Sequence, residues 1–207
     1  MIKLGVLISG SGTNLQAILD SIEKKTLDAQ VAVVISNKAE AAGLERAKKA
    51  AVPTHVIDHK KFADRPSFDS AVVDVLRDHK VDWVVLAGFM RIVTPTLLDS
   101  FPHRVVNIHP SLLPAFPGAH PHRDALAYGV KISGCTVHLV DAGTDTGPIL
   151  AQAVVPVTAD DDEASLAQKI LYVEHQLLPR VLQQASEGKI SVEKDENGGR
   201  ARVRIRG

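Results

Sequence analysis

Leu4 to Ile22 reads LGVLISGSGTNLQAILDSI, and the change of rhythm inside it decides the fold. Leu4–Ile8 is an apolar run of strand length that stops at Ser9-Gly10. Beyond the glycines, Leu15, Ile18, Leu19 and Ile22 recur at helical spacing. A strand, a glycine-rich turn and an amphipathic helix, in that order, open a βαβ unit.

The alternation continues outward from there. Val31–Ile35 is a second β-branched run, and Ala39–Ala51 reads as a helix ended by Pro53. His55–Ile57 is a short strand, Ser67–His79 is helical by Phe68, Val72, Val75 and Leu76, and Trp83–Leu86 is a further strong strand. Continuously apolar strands between helices predict a Rossmann-like α/β fold: a mostly parallel, twisted sheet with helices on both faces. Its crossovers are expected to be right-handed. The second half adds a strand at Val105–Ile108, a helix near Arg123–Tyr128, and strands at Thr136–Val140 and Ile149–Val157. A glycine-rich loop joins the last two, so we expect an antiparallel strand pair there. Asp160–Glu163 opens a long helix to about Ser186, with its acids at the positive end of the helix dipole. Ile190–Ile205 reads as a hairpin around Asn197-Gly198-Gly199.

Composition narrows the function. Lys plus Arg and Asp plus Glu are both 24, so no charge excess argues for a nucleic-acid or anionic-membrane partner. Cys135 is the one cysteine, which excludes an internal disulfide and a cysteine-rich zinc site and fits a reducing, cytoplasmic setting. The first strand follows the initial Met directly, with no leader pattern before it. Apolar runs such as Trp83–Ala87 fall well short of the roughly 20 residues a membrane helix needs. His103, His109, His120, His122 and His138 lack the helical spacing and nearby acid of a zinc site, so no metal is expected.

In parallel α/β sheets, ligands bind beyond the carboxyl ends of the strands, which directs attention to three loops. Gly10-Ser11-Gly12-Thr13-Asn14 offers close backbone approach and free N–H groups to an anion; a plain βα turn capped by Thr or Asn is the other reading. Leu15 stands where a dinucleotide fingerprint needs its third glycine, and no acid ends the second strand, so a single phosphate fits better than a dinucleotide. In Asn107-Ile108-His109-Pro110-Ser111-Leu112-Leu113-Pro114, Asn107 and His109 share one face of a strand. An amide and an imidazole side by side suit a carbonyl oxygen that gains charge and a proton that must move; a polar strand end with a satisfied histidine is the alternative. Asp145, in Asp141–Pro148, could act on a histidine or a relay water, or belong to an ordinary loop of turn-forming residues. Cys135 reads as a packing residue.

Together these stretches resemble the phosphoribosylglycinamide formyltransferases, folate-dependent enzymes of purine synthesis. The resemblance lies in ISGSGTNLQAIL (8–19), VLAGFMRI (85–92), NIHPSLLP (107–114) with Phe116-Pro117-Gly118, and DTGPI (145–149). It covers about residues 1 to 190. NIHPSLLP is shared with other formyl-tetrahydrofolate enzymes, so it speaks for the chemistry, while the glycine loop speaks for a ribose phosphate. The resemblance implies that Gly12, Thr13 and Asn14 hold the acceptor phosphate and that Glu174 meets the acceptor amine. It implies that Arg65, Met90, Arg91, Ile92, Val93 and Asn107 line the folate pocket, the run 90–93 largely through backbone groups. Asn107, His109 and Asp145 would be the catalytic set. The expected reaction moves the formyl group of 10-formyltetrahydrofolate to 5-phosphoribosylglycinamide on the way to IMP, without a metal.

We therefore expect one domain over 1–207, with a phosphate-binding half (1–100), a catalytic and folate-binding half (101–190) and a hairpin tail. It would work on small molecules, as a monomer or homodimer. Alternatives are hydrolysis of 10-formyltetrahydrofolate, formylation of another phosphorylated amine or of aminoacyl-tRNA, a non-catalytic nucleotide-binding module, and an NADP-dependent reductase in which Ser36, Asn37 and Lys38 meet a 2′-phosphate.

Overall fold

The structure, a computed structural model, describes residues 1–193 and 201–206. In chain order the elements are β1 (Ile2–Ile8), α1 (Thr13–Glu23), β2 (Ala29–Ser36), α2 (Ala42–Lys49), β3 (Thr54–Val56), α3 (Arg65–Asp78), β4 (Trp83–Leu86), α4 (Pro95–Ser100), β5 (Val105–His109), α5 (Pro121–Tyr128), β6 (Ile132–Leu139), β7 (Ile149–Pro156), α6 (Glu163–Ser186), β8 (Ile190–Glu193) and β9 (Arg202–Ile205). A seven-stranded sheet has the order β3-β2-β1-β4-β5-β6-β7. Its members are parallel through β5, while β6 and β7 run antiparallel to their neighbours.

Period-two alternation divides the core into two layers. Val6 and Ile8 of β1, Val85 of β4 and Val106 of β5 face α1, α2 and α6 through Leu15, Ile18, Leu44, Ile170 and Leu178. Their neighbours Leu7, Val84, Leu86 and Val105 face α3 and α4 through Phe68, Val72, Leu76 and Leu97. Each such side chain, fully buried, contributes about 1.5–3 kcal/mol of hydrophobic stabilisation. The sheet is thus sandwiched between helices, as the continuous apolar strands predict.

The antiparallel pair in the second half extends to β5, because β6 pairs with β5 as well as β7. β6 begins at Ile132 rather than Thr136, so Cys135 lies inside the strand. α2 is shorter than the expected Ala39–Ala51: it starts at Ala42, and Ala51 adopts φ 55, a left-handed conformation that ends a helix. Asp162 caps α6 by accepting from the Ser165 N–H at 2.8 Å, and the Ser165 hydroxyl accepts from the Asp162 N–H at 3.0 Å. β8 and β9 pair antiparallel, Ile190 opposite Ile205, as the hairpin reading requires. The expected turn at Asn197-Gly198-Gly199 lies outside the described residues.

The chain runs from β1 outward to β2 and β3, then returns to the other side of β1 at β4. That reversal opens a crevice at the carboxyl ends of β1 and β4, where α/β sheets bind ligands. The glycine loop leaves β1 there, residues 87–94 leave β4, and Asn107 and His109 end β5 next door.

Candidate active site

The glycine loop begins with Ser9, whose backbone N–H donates to the Gly88 carbonyl at 3.1 Å. The Ser9 hydroxyl donates to Asn37 Oδ1 at 2.7 Å and accepts the Met90 N–H at 2.9 Å. The loops after β1 and β4 are therefore stitched together. Asn37 is buried in this linkage and the Ser36 hydroxyl is bound to the Lys38 carbonyl at 2.7 Å, so Ser36 and Asn37 do not face outward as 2′-phosphate recognition would require. Gly12 adopts φ 68 at the start of α1, and a Cβ there would meet Gly43 Cα at 2.5 Å. Only glycine fits that combination of conformation and close approach.

Asn14, on the first turn of α1, is buried, and its Nδ2 donates to Glu174 Oε2 of α6 at 2.9 Å. Asn14 Oδ1 is buried with no partner of its own. Burial pushes the Glu174 carboxyl up to about 7, with the Asn14 hydrogen bond pulling weakly the other way. A buried carboxyl beside this glycine-rich turn, poised near neutral pH, is suited to a neutral or cationic amine. A cleft of about 380 Å³ runs beside this turn and is lined by Thr13, Gln16, Arg46 and His175 among others. Asn107, His109 and Asp145 are not among its lining residues.

Register sets the second cluster. β5 and β6 place Asn107 opposite His138 and His109 opposite Thr136. His138 Nδ1–H donates to the Leu139 carbonyl at 2.9 Å, which leaves Nε2 as the acceptor for Asn107 Nδ2 at 3.1 Å. Burial pulls the His138 pKa down, favouring the neutral ring this pairing needs. One hydrogen of the Asn107 amide is thereby held, and its second remains for a ligand. His109 is buried: its Nε2–H donates to the Phe116 carbonyl at 2.9 Å, and Nδ1 lies 3.4 Å from Asp145 Oδ2. Both ring nitrogens thus face oxygen atoms. Asp145 Oδ2 also accepts the Gly118 N–H at 2.9 Å, and Oδ1 is 3.7 Å from His138 Nε2. Asp145 sits at φ 54, a left-handed conformation that Asp tolerates better than most residues. Asn107, His109 and Asp145 thus converge, with His138 between the amide and the carboxylate.

The intervening loop is pinned to the sheet. Thr136 Oγ1 donates to the Ser111 carbonyl at 2.7 Å and accepts the Leu113 N–H at 3.0 Å. Gln152 Nε2 donates to the Leu113 carbonyl at 2.9 Å.

Of the residues expected to line a folate pocket, Met90, Arg91, Ile92 and Val93 occupy the loop after β4. Met90 and Ile92 are exposed, and Val93 is buried in the α3–α4 layer. The Met90 N–H is already engaged by Ser9, so that group is not free for a ligand. Arg91 stacks over Phe68 with its guanidinium carbon 5.4 Å from the ring centroid. Arg65, exposed at the start of α3, shares with Arg91 an electrostatic pull on Asp69. Asp69 is buried, and its Oδ2 accepts both the N–H (2.6 Å) and the hydroxyl (2.7 Å) of Thr94. Burial nonetheless raises its pKa. Neither Asp69 nor His138 stands out by motif; each is found only when strands and helices are brought together. Cys135 is buried and its thiol is pushed up to about 12 by burial, which suits packing rather than nucleophilic chemistry. Among the described residues, no group of three or more His, Cys, Asp or Glu side chains could hold a metal ion, and no helix is long and apolar enough to cross a membrane.

Residues 2–182 match the formyl transferase family. The chain is 42% identical over 187 residues to phosphoribosylglycinamide formyltransferase of Escherichia coli, covering 90% of this chain and 88% of that protein. It is 45% identical over 196 residues to the human trifunctional purine biosynthetic protein adenosine-3, covering 95% of this chain but only 19% of the human one. The crystal structure of glycinamide ribonucleotide transformylase 1 from Symbiobacterium toebii superposes with a TM-score of 0.94 at 50% identity, covering 99% of this chain and 94% of that one.

Proposed function

The chain belongs to the formyl transferase family, and from that premise we propose that it transfers the formyl group of 10-formyltetrahydrofolate to the amine of 5-phosphoribosylglycinamide, a step of purine (IMP) synthesis. The observation that carries the proposal is the convergence of Asn107, His109 and Asp145 at the end of β5, on the same sheet as the glycine turn whose Asn14 holds the buried Glu174. The likeness to the Escherichia coli phosphoribosylglycinamide formyltransferase and the Symbiobacterium toebii glycinamide ribonucleotide transformylase 1, over most of the length of each, supports it.

In this reading Gly12, Thr13 and Asn14 hold the acceptor phosphate at the positive end of α1. Glu174 meets the acceptor amine. An α-amine has a pKa near 8, so most of it is protonated at pH 7 and must pass that proton to the Glu174 carboxylate before it attacks. Its nitrogen then adds to the formyl carbon, giving a tetrahedral intermediate with O⁻ and N⁺. The second amide hydrogen of Asn107 and the His109 imidazole stabilise that oxygen. Asp145 orients His109 and helps relay the ammonium proton to the folate nitrogen as the carbon–nitrogen bond to folate breaks. Arg65, Met90, Arg91, Ile92 and Val93 line the folate side. One domain serves both small-molecule substrates, in the cytoplasm, as a monomer or homodimer.

Purified protein incubated with 10-formyltetrahydrofolate and glycinamide ribonucleotide tests this directly. Stoichiometric formylated ribonucleotide and tetrahydrofolate are expected. Release of formate at the same rate with and without the acceptor would instead identify a hydrolase.

A further inference from the structure

The glycine loop is gripped from behind by α2. The Gly10 carbonyl accepts the Gly43 N–H at 3.0 Å, the Ser11 carbonyl accepts Arg46 Nε–H at 2.9 Å, and the Gly12 carbonyl accepts the Gln16 N–H at 3.0 Å. These peptides are trans, and in a trans peptide the C=O and the following N–H point in opposite directions. The N–H groups of Ser11 and Gly12 therefore point away from α2, and that of Thr13 points out of the N-terminus of α1. Successive N–H groups turned outward in this way form a concavity for an anion.

Two of the three carbonyls are held by ordinary backbone bonds. The middle one depends on a single side chain. Arg46 is itself fixed, because its Nη1 donates to Gln16 Oε1 at 3.3 Å and Gln16 Nε2 donates to Asp20 Oδ1 at 2.8 Å. The Ser11–Gly12 peptide is also the one most able to turn over, since Gly12 sits at φ 68 and glycine populates either sign of φ. A turned peptide would present the Ser11 carbonyl oxygen to the anion in place of the Gly12 N–H. Space allows α2 this close only because residue 43 is glycine: a Cβ there would meet Ile8 Cδ1 at 2.6 Å and Gly12 Cα at 3.0 Å.

We infer that Arg46 is a positioning residue that sets preference for a phosphorylated acceptor, by holding the Ser11 carbonyl so that the N–H groups of Ser11, Gly12 and Thr13 stay turned toward the phosphate. The inference rests on the reading of this loop as the acceptor-phosphate site. Arg46 acts through the loop backbone and has no part in the formyl chemistry.

Initial rates of wild type, Arg46→Ala and Arg46→Lys, with glycinamide ribonucleotide and with its dephosphorylated nucleoside, test it. In Arg46→Ala the KM for the ribonucleotide should rise about tenfold, the effect of losing one charge-assisted bond. Its kcat should stay within about twofold, as should the KM for the folate and kcat/KM for the nucleoside, since none of these uses the phosphate cradle. Arg46→Lys keeps a charge but not the planar fork, so its KM should fall between the two. The dissociation constant of ribose 5-phosphate, measured by calorimetry, should rise in parallel with KM. An Arg46→Ala enzyme with unchanged KM and ribose 5-phosphate affinity overturns the inference, and so does a loss shared equally by both acceptors. A wild-type enzyme that does not distinguish ribonucleotide from nucleoside removes the phosphate reading itself. Should Arg46→Ala fail to fold, Arg46→Gln and Arg46→Lys carry the same comparison.

Discussion

His109 has an oxygen at each ring nitrogen, the Phe116 carbonyl at 2.9 Å and Asp145 at 3.4 Å, so its orientation is set before any ligand arrives. Asn107 is similarly held by His138. Losing one preorganised donor to a developing oxyanion typically slows turnover on the order of a hundredfold or more. Asn107→Ala, His109→Ala and Asp145→Ala should each lower kcat by at least about 100-fold, with circular dichroism unchanged. Near-normal turnover in Asp145→Ala would remove that residue from the scheme. Glu174 makes a separate prediction, because its pKa is raised to about 7 by burial. If the carboxylate is the form that receives the amine, the pH profile of kcat/KM for the acceptor should carry a rise centred at about 7, separate from the one the amine itself gives at about 8. Glu174→Gln should abolish that inflection while leaving the folate KM unchanged; an inflection that survives the substitution belongs to another group.

At the scale of elements, the loop after β4 is held by two anchors of different origin. Ser9 of the glycine loop accepts its Met90 N–H, and Asp69 of α3 accepts twice from its Thr94. Removing Asp69 would leave the Thr94 N–H and hydroxyl without their acceptor, a loss of about 1–3 kcal/mol. Asp69→Ala should therefore lower stability by roughly that amount and raise the KM for the folate, read by denaturant unfolding and by steady-state rates; an unaltered folate KM would separate α3 from ligand binding. This anchor also shows what a linear reading misses. The glycine loop and NIHPSLLP are legible because their chemistry lies in neighbouring residues, and alternation along Leu4–Leu86 reports the sheet. Asp69 is one acid among several on an amphipathic helix, and its partner is 25 positions away. His138 gains its place only through the β5–β6 register, which no periodicity within β6 predicts. The short α4 escapes notice because six residues carry too little of a helical repeat. Ser36 and Asn37, which look available at a strand end, are turned inward by Ser9 and by Lys38.

Across the whole molecule, the buried carboxyl of Glu174 opposes stability as it ionises. Its ordinary value of 4.5 is raised to about 7 in the folded protein. The neutral form is thus favoured by folding, so the stability is fully present below 4.5 and is lost as pH rises through about 7. Over that span the penalty amounts to about 3 kcal/mol. Glu174→Gln should be more stable than wild type by up to about this much at pH 8 and little different at pH 4, as thermal melts at both pH values would reveal; equal melts at pH 8 would mean the carboxyl is not desolvated. The pairing of β5 with β6 has its own consequence for how the gene can change. Strand side chains alternate between faces, so shifting β6 by one residue would bring Val137 or Leu139 opposite Asn107 and turn His138 to the other side. A one-codon insertion or deletion within the strand would thereby dismantle the amide–imidazole contact at a stroke, whereas the same change in the exposed 24–26 connection between α1 and β2, which carries no residue of the site, would be absorbed locally. Length variation among descendants of this chain should accumulate in such connections and be purged from β5, β6 and the 141–147 segment that carries Asp145.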